Sequence, residues 1–220
     1  MNGPILSIIT VNFNNNLGLL KTLESVSSQS FSSYEHIIID AGSTDGSRET
    51  IIQYEKENPH LSFWSSEPDK GIYDGMNKGI DHAKGQYLYF LNSGDCLSQD
   101  ILAKIPFDGT EYLYGDTILF YKRKTKKRVY PDTLDLIYLS DNSLHHQSCF
   151  IHHTLFKDKR YDINYKIISD WAHCFQCLII ENRTYRHLPY IISVPMGKNL
   201  IKNVHYGFKT LFLQHKVKYL

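Results

Sequence analysis

The amino-acid sequence predicts an α/β fold, a mostly parallel sheet flanked by helices. In the first half of the chain, short β-branched apolar runs alternate with segments whose apolar residues recur at helical spacing, as in βαβ units. Two of these runs are followed at once by polar turns that hold Asp40 and Asp95. Ligands of open α/β sheets bind beyond the carboxyl ends of the strands, so both turns are candidate ligand sites.

Four strands and three helices are predicted in this half. Isoleucine-rich residues 5–13 end at Asn14–Asn16, a break that can start a helix carrying Leu17, Leu20, Leu23 and Val26. The second helix closes at Asn58-Pro59 and the third at Gly85. The remaining predicted strands cover residues 35–40, 61–65 and 87–91, and the two later helices cover residues 46–57 and 71–83.

The pattern changes in the second half. Residues 111–131 predict a hairpin whose tip holds the basic run Lys122–Arg128, interpreted as a solvated turn. A long helix is predicted over 162–182, a strand over 185–194, and an amphipathic segment over 204–220. We therefore expect one domain over residues 1–220, divided into 1–105, 106–203 and 204–220.

Composition and cysteine spacing limit the function classes. The chain has 220 residues, 42% hydrophobic content and a formal net charge of +1, so it can bury a core and shows no nucleic-acid signature. No run approaches the ~18 apolar residues that span a bilayer, and no signal peptide is recognised. Cys174 and Cys177 form a lone C-x-x-C pair within an apolar segment, so packing thiols in a reducing compartment are predicted rather than zinc or redox chemistry.

The turn after residues 35–40 allows two interpretations. Asp40 can accept hydrogen bonds from a base or ribose, and the turn from Gly42 to Ser47 can bring backbone N–H groups near a ligand. Alternatively the turn is a capped βα loop, with Ser43 or Asp45 as the helix N-cap.

Two further motifs suggest ligand chemistry. Asn92-Ser-Gly-Asp95 offers a carboxylate of the kind that Mg²⁺ or Mn²⁺ shares with phosphates, although Asp95 could also cap a helix. Gly71 begins a helix next to Lys70, and such an entry can present N–H groups to an anion. Neither a P-loop nor G-x-G-x-x-G is present, which disfavours a Rossmann dehydrogenase.

Together these motifs resemble the family 2 glycosyltransferases, inverting sugar-nucleotide enzymes with the GT-A fold. The likeness rests on four segments in the family's order. It is strongest for the bacterial branch that builds exopolysaccharide, colanic-acid-like and O-antigen repeats. Beyond residue 140 fewer residues match the family pattern. The segments are Ser7-Ile-Ile-Thr-Val-Asn-Phe-Asn14, Ile39-Asp-Ala-Gly-Ser-Thr-Asp-Gly-Ser47, Glu67-Pro-Asp-Lys-Gly-Ile-Tyr-Asp-Gly-Met-Asn-Lys-Gly79 and Gly85-Gln-Tyr-Leu-Tyr-Phe-Leu-Asn-Ser-Gly-Asp95.

The resemblance implies a role for each candidate residue. Asp40 would read the nucleotide base, expected to be uracil, in a pocket lined by Thr10 and Asn12. Asp95 would bind Mn²⁺ or Mg²⁺, and Asp170 would be the general base. His146 could face the diphosphate, donate to acceptor hydroxyls, or only satisfy a core hydrogen bond. The residues expected near the nucleotide are Asp69, Lys70 and Asn77.

The resemblance also implies a reaction and its partners. One sugar would pass with inversion from a nucleotide-diphosphate sugar to a glycan or lipid-linked acceptor, since the Q-x-x-R-W of the processive synthases is absent. Residues 1–105 would bind the donor and residues 106–203 the acceptor. We expect a cytoplasmic protein whose residues 204–220 either contact the inner face of the plasma membrane or dock on the domain.

Two departures from the family pattern leave alternatives open. Asn-Ser-Gly-Asp95 replaces Asp-x-Asp, and Ser169-Asp170 replaces the usual Glu-Asp. The loss of the first Asp of Asp-x-Asp makes a catalytically decayed nucleotide- or carbohydrate-binding module one alternative. The other is a nucleotidyltransferase, which also combines a nucleotide-binding α/β layer with a metal, although residues 10–20 lack the glycine-rich basic loop expected of that class.

Overall fold

The computed structural model describes residues 3–121 and 124–195. Within these ranges the chain forms one mixed sheet with helices packed against it. The strands are β1 (Leu6–Asn12), β2 (Tyr34–Asp40), β3 (Leu61–Ser66), β4 (Tyr87–Phe90), β5 (Asp95–Leu97), β6 (Tyr112–Tyr121), β7 (Lys124–Arg128), β8 (Cys149–His152) and β9 (Tyr185–Pro195). The α-helices are α1 (Asn16–Ser27), α2 (Ser47–Glu57), α3 (Ile72–His82), α4 (Leu136–Asp141) and α5 (Ser169–Phe175).

The strand order in the sheet is β3-β2-β1-β4-β8-β6-β9-β5, with β7 paired to β6 alone among the described strands. The first four strands in this order run parallel, and β8 lies antiparallel between β4 and β6. The carboxyl ends of β2, β1 and β4 therefore share an edge of the sheet with the amino end of β8. The predicted α/β class and mostly parallel first half are confirmed.

The centre of the sheet is buried on both faces. Every residue of β1 and β2 is buried, including three consecutive isoleucines from Ile37. Helix α3 packs directly on β1 because Gly75 and Gly79 lack side chains. A Cβ at these positions would lie 2.8 Å from Val11 Cγ1 and 2.4 Å from Ile9 Cγ2. The two glycines of the Tyr-Asp-Gly-Met-Asn-Lys-Gly motif are thus packing requirements.

The structure corrects several elements of the second half. The predicted hairpin does form, from β6 and β7, but residues 124–128 of the basic run are strand β7 itself and not a solvated turn. The predicted helix over 162–182 begins only at Ser169 and continues as a π-helical turn over Gln176–Ile180. The reason is a turn in which Asp162 accepts hydrogen bonds from the backbone and side-chain amides of Asn164, which competes with helix formation. The sequence analysis missed β5, α4 and β8.

The other elements agree with prediction to within a few residues, including the strand at Tyr185–Pro195. Cys96, Cys149, Cys174 and Cys177 are buried and free, which confirms packing thiols, and burial raises the pKa of Cys177 to about 11. No helix in the described part of the chain is long and apolar enough to cross a membrane. The amphipathic segment predicted over 204–220 lies outside the described residues.

Candidate functional site

Hydrogen bonds hold the loops at the carboxyl edge together. Ser93 N–H, just after β4, donates to Val11 O at 3.0 Å, and the Asn15 amide donates to Ser93 O at 2.9 Å. On the other side of β1, Ala41 N–H donates to Asn12 O at 2.9 Å. The loops after β2, β1 and β4 therefore form one continuous surface that carries the predicted nucleotide and metal residues.

Asp40 is the best-bonded carboxylate of this surface, with no exposed area. Its Oδ1 accepts from the Asn12 amide at 2.7 Å and from Ser43 Oγ at 2.5 Å, and its Oδ2 accepts from Ser43 N–H at 2.9 Å and Ser66 Oγ at 2.6 Å. Burial alone would raise the pKa of Asp40, but these hydrogen bonds outweigh it and hold the pKa below its ordinary value. Asp40 is therefore an ionised residue that organises the loop, and a base N–H could reach it only by displacing one of its donors.

Asn12 offers an acceptor beside Asp40. A carboxylate can only accept, so the bond to Asp40 Oδ1 fixes which end of the Asn12 amide is the nitrogen. The Asn12 oxygen then faces away, buried and with no hydrogen-bond partner among the described residues. Because such an orphaned acceptor is costly, it marks a place where a ligand N–H would be favourable.

Replacing Asp40 with Ala is expected to lower the free energy of unfolding by about 3 kcal/mol, because donors on Asn12, Ser43 and Ser66 lose their shared acceptor. The pKa of Asp40 is lower in the folded than in the unfolded protein, so its contribution is present above the unfolded pKa and is lost as pH falls through the folded pKa. Urea unfolding at neutral and acidic pH measures both effects.

The matched control for this variant is Asp81→Ala. Asp81 lies 61% exposed on α3, where its ion pair with Arg160 is expected to be worth under about 1 kcal/mol. An Asp40→Ala protein as stable as the control at neutral pH would contradict the role assigned to Asp40.

The turn from Gly42 to Ser47 corresponds to the capped-loop interpretation. Asp45 accepts from the backbone N–H of Ser47 at 3.2 Å and of Asn16 at 2.8 Å, so one carboxylate serves the first turns of α1 and α2. The N-cap of α2 is Gly46, at φ +92, so the prediction of Ser43 or Asp45 at this position is wrong. Since Thr44 N–H also donates to the Asn14 side chain, these backbone donors are occupied within the protein.

The structure does not bring Thr10 and Asn77 to the surface of the site. Thr10 has no exposed area within β1, and its hydroxyl is hydrogen-bonded to Nε2 of His36 at 2.9 Å. The Asn77 amide makes its hydrogen bonds to the backbone of Tyr161, at 2.8 and 3.0 Å. Thr10 is thus part of the core, and Asn77 joins α3 to the second half of the chain.

Asp69 and Lys70 lie at the amino end of α3. Asp69 Oδ1 accepts from Gly71 N–H at 2.8 Å, and Asp74 Oδ2 accepts from Lys70 N–H at 2.9 Å. These two backbone donors, predicted to face a ligand, are therefore bonded to side chains. Lys70 itself is exposed, and burial raises the pKa of Asp69.

A chain of hydrogen bonds links the predicted base to the loop after β4. Tyr73 O–H donates to Asp170 Oδ1 at 2.7 Å, and His146 Nδ1 lies 3.2 Å from Asp170 Oδ2. The other ring nitrogen, Nε2, lies 2.9 Å from the Asn92 amide nitrogen. Because the carboxylate only accepts and the amide nitrogen only donates, this arrangement places the His146 proton on Nδ1.

The network defines the state of Asp170, whose side chain is 19% exposed. Burial alone would raise the pKa of Asp170, but the hydrogen bonds from His146 and Tyr73 lower it below its ordinary value. Burial and the charge of Asp170 in turn raise the pKa of Tyr73. His146 is therefore hydrogen-bonded through both ring nitrogens, to Asp170 through one and to Asn92 through the other.

Tyr73 and Asn92 are site residues that sequence reasoning missed. Both lie inside motifs that the sequence itself marks, Tyr73 two residues after Gly71 and Asn92 at the start of Asn-Ser-Gly-Asp95. Tyr73 was overlooked because its partner Asp170 is 97 positions away along the chain.

The turn at Asp95 fits a divalent cation in part. Asp95 N–H donates to Asn92 O at 3.0 Å, and Thr22 of α1 donates to Asp95 O at 2.7 Å, so the turn is firmly held. Burial raises the pKa of the Asp95 carboxyl to about 6, a shift that nearby His146 opposes. The Asn92 side-chain oxygen is buried and has no partner within the described ranges.

No cluster of three or more acidic, histidine or cysteine ligands occurs among the described residues. Asp95 and Asn92 supply hard oxygen donors, which suits Mg²⁺ or Mn²⁺ when most remaining ligands come from substrate phosphates. The site therefore fits an ion that arrives with a diphosphate.

Comparisons with known proteins relate this chain to glycosyltransferases. Residues 7–106 match the family model described as Glycosyl transferase family 2. An uncharacterized glycosyltransferase of Mycobacterium tuberculosis (strain ATCC 25618 / H37Rv) is 43% identical over 46% of this chain and 38% of its own length. A PGL/p-HBAD biosynthesis glycosyltransferase of Mycobacterium bovis (strain BCG / Pasteur 1173P2) is 27% identical over 88% of this chain and 77% of its own.

Solved structures share the fold at low sequence identity. S. aureus TarS 1-349 in complex with UDP-GlcNAc superimposes with a TM-score of 0.70 at 16% identity, over 88% of this chain and 58% of that one. The mannosyltransferase PcManGT from Pyrobaculum calidifontis, in complex with GDP-Man and Mn²⁺, gives 0.67 at 15% identity over 92% and 59%. The architecture is accordingly a GT-A-like α/β fold.

The match to the glycosyltransferase family 2 model thus covers slightly less than half of this chain. The matched region spans less than half the length of the Mycobacterium tuberculosis relative.

Proposed function

We propose that the protein transfers one sugar from a nucleotide-diphosphate sugar, most favourably a UDP-sugar, to a glycan or lipid-linked acceptor with inversion. The observation that carries the proposal is the placement of Asp40 and Asp95 at the carboxyl edge of the sheet, with Asp170 linked to the same edge through His146 and Asn92. The proposed setting is bacterial surface polysaccharide synthesis of the exopolysaccharide, colanic-acid or O-antigen kind, in the cytoplasm. Relatives named as glycosyltransferases support it.

The nucleotide end of the proposed donor site lies at the ends of β1 and β2. Asp40 holds the Asn12 amide so that its oxygen remains an unfilled acceptor. The imide N–H of uracil is a donor of the matching kind, as are the ring N–H groups of thymine and guanine. Among these bases, the structural neighbour TarS, in complex with UDP-GlcNAc, favours uracil. Exposed Lys70, at the start of α3, is available to a phosphate. Thr10 and Asn77 take structural roles in this proposal.

The metal end of the proposed site lies at the turn after β4. Asp95 and the Asn92 oxygen would hold Mn²⁺ or Mg²⁺, which supplies charge neutralisation for the departing diphosphate. Thr22 positions this turn through its bond to the Asp95 carbonyl.

Asp170 would take the proton from the attacking acceptor hydroxyl. Its lowered pKa keeps it ionised at neutral pH, and the bonds from Tyr73 and His146 fix its orientation. The acceptor would lie over residues 106–203 and attack opposite the diphosphate, which inverts the anomeric carbon.

Tyr73→Phe is expected to lower kcat about tenfold with little change in the donor KM, because it removes one hydrogen bond to Asp170 and leaves the ring packing intact. Loss of that bond raises the pKa of Asp170, so the acidic limb of the kcat profile should move to higher pH. Tyr190→Phe, a 38% exposed tyrosine on β9, is the control. Superimposable pH profiles for the Tyr73→Phe and wild-type proteins would show that Tyr73 does not position the base.

Calorimetric titration with UDP, GDP and dTDP in the presence of Mn²⁺ tests the proposed donor. We expect UDP to bind most tightly and its affinity to fall in EDTA. Tighter binding of GDP would replace the uracil assignment, and absence of binding by all three nucleotides would refute the proposal.

A further inference from the structure

Positive charge is concentrated in two short parts of this chain. Lys122–Arg128 contains six basic residues in seven, and residues 196–220 contain five lysines and no acidic residue. Together these segments hold eleven of the 24 Lys and Arg residues and none of the 23 Asp and Glu residues. Although the net charge is near neutral, the charge is unevenly distributed along the sequence: these two segments are basic and the rest of the chain is acidic.

The described part of the first segment is strand β7, which pairs with the end of β6 to form a two-stranded ribbon at the margin of the sheet. Residues 117–121 of β6 pair with β7 from Arg128 back to Lys124, and β9 pairs with β6 only as far as Thr117. We call residues 117–121 and 124–128 the basic ribbon. Its strand β7 has one neighbour among the described strands, β6, so β7 is an edge strand.

Only part of the ribbon's charge is compensated. Lys127 pairs with Asp116 at 2.9 Å, and Arg128 donates to the Asn142 side chain at 3.0 Å. Lys124 and Lys126 are exposed and form no ion pair with any described residue. Strand alternation places these two lysines on the same face, with Leu119 directly opposite Lys126.

Exposed apolar side chains follow the ribbon along the chain. Val129, directly after β7, is 61% exposed, and Leu136 and Ile137 at the start of α4 are 54% and 75% exposed. Arg128, which shares a face of β7 with Lys124 and Lys126, donates to Asn142, the residue that follows α4. Lysines on an edge strand can by themselves serve to block sheet-to-sheet pairing. That role does not require exposed aliphatic residues in the segment that follows them.

We propose that the basic ribbon and α4 form a binding surface for anionic lipid membranes. Lys124 and Lys126 would contact lipid headgroup phosphates, and Val129 and Ile137 would enter the interface between headgroups and acyl chains. Exposed aliphatic residues favour a lipid surface over a soluble polyanion, which offers them nothing apolar. Residues 196–220 are an unfavourable cover for the ribbon, because they carry the same sign of charge.

This inference does not depend on the proposed transferase activity, so vesicle sedimentation of the full-length protein tests it directly. Phosphatidylglycerol–phosphatidylcholine vesicles are compared with phosphatidylcholine alone. We expect binding only to the anionic vesicles, weakening as salt is added. Lys124→Gln/Lys126→Gln should lower the partitioning of the protein onto the anionic vesicles about tenfold to thirtyfold, since each basic residue near an anionic surface strengthens membrane binding. Val129→Ser/Ile137→Ser should lower it several-fold.

The matched control is Lys56→Gln/Lys104→Gln. It removes the same charge from two exposed lysines outside the ribbon, Lys56 on α2 and Lys104 in the segment after β5. It should bind within about twofold of wild type, because screening limits the reach of distant charges. Equal losses in control and ribbon variants would overturn the proposal, as would wild-type protein that stays in solution. Loss of soluble polyphosphate binding in the lysine variant, with vesicle binding unaffected by the serine variant, would assign the ribbon to a soluble polyanion instead.

Discussion

Asp170→Asn is expected to lower turnover by about 10²- to 10⁴-fold while leaving UDP affinity within a few-fold of wild type. Asparagine keeps the size of the side chain and its bond with Tyr73 O–H, but it cannot take a proton from an acceptor hydroxyl. The residue lies at the end of a hydrogen-bond chain from the metal turn through His146, so no other described carboxylate shares these contacts. Turnover with an acceptor and calorimetry with UDP measure the two parts of the prediction.

Asp158→Asn provides the control, because Asp158 is an exposed aspartate in the same half of the chain. It should retain full turnover. If Asp170→Asn kept turnover within a few-fold of wild type, the base would lie elsewhere. A loss of turnover in Asp158→Asn would then assign the base to Asp158, and Asp162 and Asp141 would be the next residues to replace.

Asp95→Ala is expected to abolish turnover, and EDTA should do the same to the wild-type protein. The Asp95 side chain projects from a turn that Thr22 and Asn92 hold through backbone atoms, so the fold should survive the substitution. The pKa of the free carboxyl, raised to about 6 by burial, gives a second test. Protons compete with the ion below that pH, so the Mn²⁺ concentration needed for half-maximal turnover should rise as pH falls below about 6.

Circular dichroism of Asp95→Ala distinguishes loss of metal from loss of fold, and Asp81→Ala controls for the removal of an acidic residue. Full activity in EDTA, or an active and folded Asp95→Ala protein, would show that the reaction does not use an ion at this turn.

The part of the fold that sequence could predict is the part governed by local periodicity. β1 to β4 and α1 to α3 follow from apolar spacing and from breakers such as Pro59 and Gly85. The charges of strand β7 obscure any strand pattern and favour the interpretation as a solvated turn, whereas pairing with β6, its one partner among the described strands, stabilises it as a strand. The start of α5 was predicted too early because the Asp162 side chain competes for the backbone of the preceding turn.

The candidate site shows a similar division. Positions after strands, such as Asp40 and Asp95, follow from the order of the motifs along the chain. The hydrogen-bond partners of these residues do not follow from the order of the motifs, because the partners come from distant segments of the chain. Ser66 reaches Asp40 from 26 positions away, and Tyr73 reaches Asp170 from 97. Thr10 and Asn12 face the same side of β1, yet only Asn12 stands at the strand's end, so periodicity alone could not separate them.

The central claim is that the protein transfers a sugar from a nucleotide-diphosphate sugar. Hydrolysis of a panel of UDP-, GDP- and dTDP-sugars without acceptor tests it most directly, because an active transferase slowly hydrolyses its own donor. With Mn²⁺ present, we predict release of UDP from one UDP-sugar above the rate without protein. That release should disappear in EDTA and fall strongly in Asp170→Asn. Hydrolysis of none of the sugar nucleotides, in a protein that nevertheless binds UDP, would contradict the account and identify a binding module that has lost catalysis.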